Sequence, residues 1–400
     1  SMNARCSDIG SVASGLTAAL RLASCKRPFR SVLLVKSCAM SSANTLTKWC
    51  RCAPLRNRAN PMTNILVTGG AGYIGSHTVV ALQQQGYTPV IADDFRNANK
   101  IVLGGLRSIL GHDPLLYPID ICNKQALTDL FDKYTFEGVI HFAAYKAVGE
   151  SVDKPLDYYQ NNLVGLINVL SLLQAHQVKN FVFSSSCTVY GEPKGEKEVS
   201  ETTPKQLPES PYGYTKWMGE QIIADFHRSA PEIKLMNLRY FNPVGAHPSA
   251  QIGEFPIGKP NNLLPFVTQT AIGKYPHLTI FGNDYPTPDG SCIRDYIHVQ
   301  DLAEAHVAAL DFLSKQQEGL LEAVNIGTGT GTSVLEIVTA FERVTGQALP
   351  HVIGPRRAGD VIEIYANATK GEQLLGWKAR LGIEDALRDA WAWEQHLAAL

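Results

Sequence analysis

The sequence predicts an α/β fold with a doubly wound parallel sheet, because short apolar runs alternate with longer segments of helical periodicity. The apolar runs lie at 65–67, 90–92, 115–117, 139–142, 181–183 and 234–238. The helical segments lie at 76–85, 124–133, 155–176 and 212–228. Such alternation is typical of parallel strands that are joined by right-handed crossovers.

The first predicted strand runs directly into a glycine-rich turn. Residues 65–75 read Ile-Leu-Val-Thr-Gly-Gly-Ala-Gly-Tyr-Ile-Gly, and an apolar-periodic helix follows. In this context Gly69 permits a tight turn, Gly72 lets backbone N–H groups approach a pyrophosphate, and Gly75 lets helix and strand pack closely. The helix N-terminus adds positive potential toward the phosphates. The turn therefore predicts a Rossmann-type dinucleotide-binding domain.

A carboxylate ends the second predicted strand. Asp93 lies 18 residues after Gly75, where this type of domain binds a ribose 2′-hydroxyl group. Asp93 and Asp94 would repel a 2′-phosphate, so the sequence favours NAD over NADP. The alternative interpretation is an ordinary βα turn followed by a surface aspartate.

A second group of residues could supply acid–base chemistry. Tyr212 and Lys216 are four residues apart, so on a helix they share one face. A free phenol has a pKa of about 10, and a neighbouring ammonium group, helped by a positive nicotinamide ring, is expected to lower it. The serine-rich segment 184–191 follows an apolar strand, at the end where open α/β sheets bind ligands. The alternative is a chance Tyr-x-x-x-Lys spacing.

These motifs resemble the extended short-chain dehydrogenase/reductase superfamily, and longer segments resemble the UDP-glucose 4-epimerases within it. Those segments lie at 141–151, 239–248, 261–265, 280–286 and 294–299, in the order of that family. The resemblance implies reversible epimerisation at C4 of UDP-glucose and UDP-galactose through a 4-keto intermediate, with tightly bound NAD. Epimerases of N-acetylated or several UDP-hexoses remain alternatives, as does a non-catalytic NAD-binding sensor. A sensor would have lost the Tyr212 and Lys216 pair, which this chain retains.

The resemblance also implies roles for individual residues. The catalytic residues would be Ser186, Tyr212 and Lys216. NAD would be bound by Gly69, Gly72, Tyr73, Ile74, Gly75, Asp93, Asn97, Asp120, Ile121, Phe142, Ala143, Lys146, Asn161, Ser184, Tyr212, Lys216 and Tyr240. The UDP-sugar would be bound by Lys146, Ser186, Tyr212, Asn242, Asn262, Leu263, Phe281, Arg294, Arg357 and Asp360. Each has a simpler structural alternative, such as a loop cap at Asp120 or a helix cap at Asn262.

Two positions depart from the pattern of the family that the chain resembles. Cys187 follows the predicted catalytic serine, where a small residue such as alanine is usual, and we expect no redox role for it. Ile364 lies where a bulky tyrosine restricts some members to unacetylated sugars and a small residue admits N-acetylated ones. Isoleucine is intermediate in size, so the sequence leaves this specificity open.

The chain divides into three predicted parts. Residues 62–242 would form the NAD-binding domain, with returning elements near 294–330, whereas 243–293 and 331–400 would form a smaller α/β domain for the UDP-sugar. Residues 1–61 carry ten Lys or Arg residues and one acidic residue. We expect them to be a mostly disordered, non-native extension, with an organelle transit peptide as the alternative. By resemblance, the helices at 155–176 and 212–228 predict a homodimer.

Composition excludes several classes of protein. The 400 residues are 45% hydrophobic and 18% charged with a net charge of −1, which is typical of a globular protein and offers no basic nucleic-acid-binding surface. No apolar segment is long enough to predict a membrane span. Five of the eight cysteines lie before residue 53, so no disulfide framework is predicted and a cytoplasmic, reducing compartment is expected. No Cys or His spacing predicts a metal site.

Overall fold

The structure, a computed structural model, describes residues 63–193, 195, 197–357 and 361–400. The predictions for the N-terminal extension and for Asp360 lie outside the described residues. None of the helices in the described segments is both long and apolar enough to cross a membrane.

Strands and helices alternate along the described chain. The strands are β1 (Thr63–Thr68), β2 (Tyr87–Ala92), β3 (Leu115–Tyr117), β4 (Phe136–His141), β5 (Asn180–Ser186), β6 (Glu198–Val199), β7 (Lys234–Tyr240), β8 (Asn242–Val244), β9 (Leu278–Phe281), β10 (Ile293–His298), β11 (Leu320–Ile326), β12 (Gly331–Ser333), β13 (His351–Gly354) and β14 (Glu363–Ala366). The helices are α1 (Tyr73–Gln84), α2 (Ile101–Leu110), α3 (Lys124–Lys133), α4 (Val148–Asp153), α5 (Pro155–Tyr159), α6 (Gly165–Ala175), α7 (Pro211–Ser229), α8 (Leu263–Ala271), α9 (Val299–Lys315), α10 (Val334–Thr345), α11 (Thr369–Leu375) and α12 (Ile383–Ala398).

The larger sheet is built from seven of the described strands, all parallel to their neighbours. Their order is β11-β7-β5-β4-β1-β2-β3. Chain order runs outward in one direction from β1 to β3 and in the other from β4 onward. The predicted doubly wound parallel sheet is confirmed, and its switch point lies between β1 and β4, where such folds bind ligands.

Alternating side chains of the strands feed two hydrophobic cores. In β1, Ile65 and Val67 join a buried cluster with residues of α1 and α9. Leu66, between them, joins a second buried cluster with residues of α3, α6 and α7. Helices therefore cover both faces of the sheet, which explains why the central strands read as continuous apolar runs.

The long helix predicted at 155–176 is interrupted. A π-helical turn, Gln160–Val164, separates α5 from α6. The side chain of Asn162 in this turn accepts a hydrogen bond from the Tyr145 backbone N–H at 2.8 Å and donates to Thr215 Oγ1 at 2.9 Å. Such single wide turns are common at functional sites, because they redirect side chains without ending the helix.

Helix α2 is not among the helical segments named from the sequence. It contains Gly104 and Gly105, which disfavour helix formation. The glycine at 105 serves a packing role. A Cβ atom there would lie 2.0 Å from the backbone oxygen of Gln251. A long-range contact therefore selects the residue that the local pattern counts against.

The remaining elements form a smaller α/β part. Strands β12, β10, β14 and β6 are neighbours in that order, β8 also pairs with β10, and β13 pairs with β9. Helices α8, α10 and α12 bury Val267, Phe341 and Leu387 in a third core. Of the elements near 294–330 that were expected to return to the NAD-binding domain, β11 completes the larger sheet, whereas β10 pairs within the smaller one.

Candidate active site

A cleft of about 480 Å³ opens at the carboxyl ends of β1, β2 and β4. The glycine turn after β1 forms one wall, and Tyr212 and Lys216 of α7 contribute to another. Loop residues 252–257 and Trp393 of α12 reach it from the smaller part of the structure. The cleft thus lies where the sheet order places the switch point.

The glycine turn leaves no room for a side chain at Gly69 or at Gly75. Gly69 has a φ of +71°, and a Cβ atom on it would lie 2.7 Å from the backbone nitrogen of Ala143. A Cβ atom on Gly75 would lie 2.2 Å from the backbone oxygen of Gly69. Helix α1 begins directly after Gly72, so its first N–H groups, which have no partner within the helix, are near the cleft. This cradle fits a diphosphate.

Asp93 is held at the end of β2 by the backbone of two loops. Its carboxylate accepts hydrogen bonds from the N–H groups of Ala71 at 3.0 Å and Phe95 at 2.9 Å. Burial raises the pKa of Asp93, those hydrogen bonds oppose the rise, and the nearby Asp94 adds to it. The carboxylate therefore links the glycine turn to the β2 loop in a fixed orientation, as a ribose-binding group requires.

Lys216 is buried beneath the cleft with 4% of its surface exposed. Its Nζ donates a hydrogen bond to the backbone oxygen of Ser184 at 2.6 Å and lies 5.0 Å from the centre of the Phe183 ring. Burial lowers the pKa of Lys216 to about 7. The Ser184 hydroxyl lies 2.5 Å from that of Tyr240, which also lines the cleft.

Tyr212, one helical turn before Lys216, is also buried. Burial raises the pKa of Tyr212, the nearby Tyr240 adds to the rise, and a hydrogen bond with Ser186 opposes it. We expected the neighbouring Lys216 ammonium group, helped by a nicotinamide ring, to lower the pKa of Tyr212. The groups of the protein alone raise it instead. The reason is that desolvation of the phenolate prevails, while Lys216 is directed at the Ser184 carbonyl.

A buried ion pair fixes α7 against the sheet. One turn beyond Lys216, Glu220 accepts hydrogen bonds from Arg239 Nε at 2.9 Å and Nη2 at 2.7 Å, and from Ser185 Oγ at 2.6 Å. Ser185 lies between Ser184 and Ser186 on β5. The network therefore joins the helix that carries Tyr212 to the strand that carries the serines.

Comparison with known proteins identifies the family. The family model described as the NAD dependent epimerase/dehydratase family matches residues 65–327. The chain belongs to this family. UDP-glucose 4-epimerase 2 of Arabidopsis thaliana is 50% identical over 333 residues, which cover 82% of this chain and 94% of that protein.

Solved structures of epimerases in this family share the fold. The UDP-glucose 4-epimerase of Stenotrophomonas maltophila, with bound NAD and formylated UDP-arabinopyranose, has a TM-score of 0.81 at 46% identity and covers 84% of this chain and 99% of that one. The enzyme of Bifidobacterium longum, in complex with NAD⁺ and UDP, has a TM-score of 0.80 at 44% identity, with 84% and 98% covered.

Most residues that the family resemblance assigns to NAD share this cleft. Those lining it are Gly69, Gly72, Tyr73, Ile74, Gly75, Asp93, Asn97, Ile121, Phe142, Ala143, Lys146, Asn161, Tyr212, Lys216 and Tyr240. Two of the set lie just behind the wall: Ser184, through its contacts with Tyr240 and Lys216, and Asp120, through an ion pair with the lining residue Arg96.

The residues assigned to the epimerase's UDP-sugar are more dispersed. Lys146, Tyr212 and Asn262 line the cleft, and the hydroxyl of Ser186 contacts Tyr212 behind it. The described residues of the set that do not line it are Ser186, Asn242, Leu263, Phe281, Arg294 and Arg357.

Several of these outlying residues nevertheless lie at the ends of neighbouring elements. The Arg357 guanidinium lies 5.7 Å from the Phe281 ring centre, Arg294 Nη1 donates to the Ile293 backbone oxygen at 2.9 Å, and Asn242 pairs with Tyr296. Leu263 is the first residue of α8.

Two residues on the cleft were missed by sequence reasoning. Glu254 Oε1 accepts hydrogen bonds from Lys146 Nζ at 2.9 Å and from Asn262 Nδ2 at 2.5 Å. It therefore joins a residue predicted to bind NAD to one predicted to bind the UDP-sugar. Arg96 joins loops that follow three strands. Each is a single charged residue in a loop, so no spacing or periodicity could have marked it.

Of the two departures from the family pattern, Ile364 is buried and Cys187 is partly buried. Burial raises the pKa of the Cys187 thiol to about 11, which opposes a reactive thiolate. Ile364 is 4% exposed and packs in a cluster with Val189, Tyr190 and Phe241. In the part of the chain that the structure describes, no group of His, Cys, Asp or Glu side chains is arranged to hold a metal ion.

Proposed function

We propose that the protein interconverts UDP-glucose and UDP-galactose by inverting C4 of the sugar, with NAD held in the cleft throughout. The observation that carries this proposal is the placement of Tyr212 and Lys216 on the cleft wall, with Ser186 in contact with Tyr212, facing a glycine cradle that fits a diphosphate. Relatives named UDP-glucose 4-epimerase, at about half identity over most of their length, support it.

The residues present fit NAD. The cradle of Gly69, Gly72 and Gly75 would hold its pyrophosphate, and Asp93 its adenosine ribose. Lys216 would reach the nicotinamide ribose, since it lines the cleft. Bound NAD would supply reversible hydride transfer at C4 of the sugar and, in its oxidised form, positive charge beside the phenol of Tyr212.

The protein's own residues would handle the proton. Tyr212 would take it from the sugar's 4-hydroxyl group and give it back after the sugar has turned over. The Ser186 hydroxyl would hydrogen-bond the same sugar oxygen, because it already contacts Tyr212. Since burial raises the pKa of Tyr212, its use as a base depends on positive charge brought to the cleft.

The smaller α/β part would hold the nucleotide end of the substrate. Residues 243–293 and 331–400 supply Asn262, Phe281 and Arg357, whereas 62–242 and the elements near 294–330 supply the NAD site and Arg294. Firm contacts to the uridine diphosphate and few to the sugar would let the 4-keto sugar rotate and present its other face. Asp360 remains a predicted contact.

Two alternative reactions share the first oxidation. Nucleotide-sugar dehydratases and decarboxylases need an additional carboxylate beside the catalytic serine, and the turn Cys187–Tyr190 after Ser186 contains none. Epimerisation of N-acetylated UDP-sugars remains the second candidate, because Ile364 is neither as bulky as tyrosine nor small.

We also propose a homodimer in a reducing, cytoplasmic compartment. Leu156 of α5 and Ile167 of α6 are 78% and 47% exposed, so exposed apolar side chains lie on the segment 155–176, for which the family resemblance implies a partner subunit. Val152 of the preceding helix α4 is also 61% exposed. The described cysteines are free thiols. Sedimentation would test the dimer, which predicts a particle of twice the chain's mass.

The deciding experiment is turnover of the purified protein on UDP-galactose and, separately, on UDP-N-acetylgalactosamine, with no NAD added. Conversion of UDP-galactose alone supports the proposal and makes Ile364 a restriction. Conversion of both substrates makes the enzyme a broad-specificity epimerase. Conversion of neither, even with NAD supplied, would refute the proposed activity.

A further inference from the structure

Arg96 contacts side chains from the loops that follow three different strands. Its Nη2 lies 2.6 Å from Asp94 Oδ2, in its own loop after β2, and also contacts Asp120, which follows β3. Its Nη1 donates a hydrogen bond to the hydroxyl of Tyr145, which follows β4, at 3.3 Å. One guanidinium group thus joins loops that are distant in sequence.

The order of the strands in the larger sheet shows which loops the contacts of Arg96 connect. Strand β1 lies between β4 and β2, and β3 lies beyond β2. A contact from the β2 loop to the β4 loop must therefore pass in front of the glycine turn that follows β1. Arg96, Asp94 and Tyr145 all line the cleft. The arginine therefore joins two loops of the cleft whose strands are separated by β1, the strand that leads into the glycine turn.

Backbone hydrogen bonds within the loop after β2 fix the position of Arg96. Asp93 accepts a hydrogen bond from the Phe95 N–H, and Asp94 Oδ1 accepts one from the Arg96 N–H at 2.9 Å. Phe95, between them, has a φ of +62°, in the left-handed region that non-glycine residues rarely adopt. Such a conformation persists only when its surroundings hold it. The guanidinium is therefore presented from a defined loop.

We propose that Arg96 is a strap that slows exchange of the dinucleotide between the cleft and solvent. The proposal rests on the proposed use of NAD, and it suits an enzyme whose cofactor must stay bound through the whole cycle. The strap's two ion pairs are partly exposed, so each contributes modestly. Together with the hydrogen bond they would slow release about tenfold, equivalent to about 1.4 kcal/mol.

A strap has a kinetic signature that a direct ligand lacks. Its described contacts hold the loops after β2, β3 and β4 together, so we expect the strap to open both for entry and for release of the dinucleotide. Replacing Arg96 should accelerate both steps and change the dissociation constant little. A residue that bound the dinucleotide directly would, when replaced, accelerate release alone and weaken binding.

The test is stopped-flow measurement of NADH binding and release. NADH fluorescence reports association with cofactor-depleted protein, and displacement by excess NAD⁺ reports release. For Arg96→Ala we expect both rates to rise about tenfold. For Tyr145→Phe, which removes one hydrogen bond and leaves both ion pairs, we expect about a twofold rise. The matched control is Arg107→Ala, because Arg107 of α2 forms an exposed ion pair with Asp113, which follows that helix.

The outcomes separate the strap from other roles. Faster release with unchanged association in Arg96→Ala would overturn the strap and make the arginine a direct ligand. Unchanged rates would overturn it as well. Because NADH binding is measured without substrate, it is independent of turnover. If the wild-type protein binds NADH but converts no UDP-sugar, the proposed activity fails while the strap is still tested.

Discussion

The buried pair of Glu220 and Arg239 predicts a large loss of stability when one partner is removed. The Glu220 side chain is 2% exposed and that of Arg239 is 7% exposed. In Glu220→Ala the guanidinium would lose both charge-assisted hydrogen bonds, and Ser185 would lose its acceptor. Because Glu220 is the one ion-pair partner of Arg239 among the described residues, a buried positive charge would remain without that partner.

The magnitude follows from that unpaired charge. Removing one member of a buried ion pair costs about 3–5 kcal/mol, more than the pair itself contributes relative to apolar residues. With an unfolding entropy of about 2.1 cal/mol/K per residue, a folded unit of about 340 residues would lose about 4–7 °C in melting temperature. Glu220→Gln keeps an acceptor oxygen, so its loss should be smaller.

Thermal and urea unfolding in a fixed excess of NAD would measure these losses. The matched control is Asp225→Ala on the same helix, because Asp225 pairs with Arg228 on the surface and should contribute below about 0.5 kcal/mol. The double variant Glu220→Leu with Arg239→Met should recover most of the stability. A loss in Glu220→Ala no larger than the control, or a double variant as unstable as the sum of the singles, would refute the reasoning.

Three further predictions concern the cleft. Tyr212→Phe should lower turnover about 10²–10⁴-fold while NAD still co-purifies, as measured by assay and extraction; unchanged turnover would contradict its role. Gly75→Ala should abolish NAD binding, measured by NADH fluorescence, because the added Cβ atom would collide with the backbone of Gly69. In the control Gly104→Ala the added Cβ atom meets open space among the described residues, so this variant should still bind NADH. Because burial lowers the pKa of Lys216 from 10.5 to about 7, the folded protein binds fewer protons than the unfolded chain between those values, and its free energy of unfolding rises with pH there. Urea unfolding of Lys216→Met at pH 7 and 9 should show a flatter rise, and an equal slope would argue against the shift.

Local patterns predicted the elements well wherever local physics decides them. The helical periodicity at 124–133 and 212–228 matches α3 and α7, whose N-cap residues Asn123 and Ser210 accept hydrogen bonds from the first turn. The glycine turn could also be predicted from the sequence, because the spacing of the three glycines after an apolar strand is typical of a dinucleotide-binding turn. The same logic placed the cleft at the carboxyl ends of the strands.

Features that depend on contacts between residues distant in sequence could not be predicted from local sequence patterns. The π-helical turn at 160–164 accompanies a hydrogen bond from Asn162 to Thr215, and α2 tolerates Gly105 because Gln251 approaches it closely. The raised pKa of Tyr212 is also a long-range effect, since its sequence neighbours argue for the opposite shift and its buried surroundings prevail. Such terms enter only when the chain has folded.

The pairing of β7 with β11 has a consequence for biosynthesis. Elements α8, β9, β10 and α9 are all made after β7 and before its partner. At about 5–20 residues per second, the outer edge of β7 would leave the ribosome several seconds before β11 can cover it. During that interval the nascent chain exposes an unpaired edge, which is a template for wrong pairing between chains. Truncation before Leu320 should therefore yield an aggregating product rather than an isolated nucleotide-binding domain.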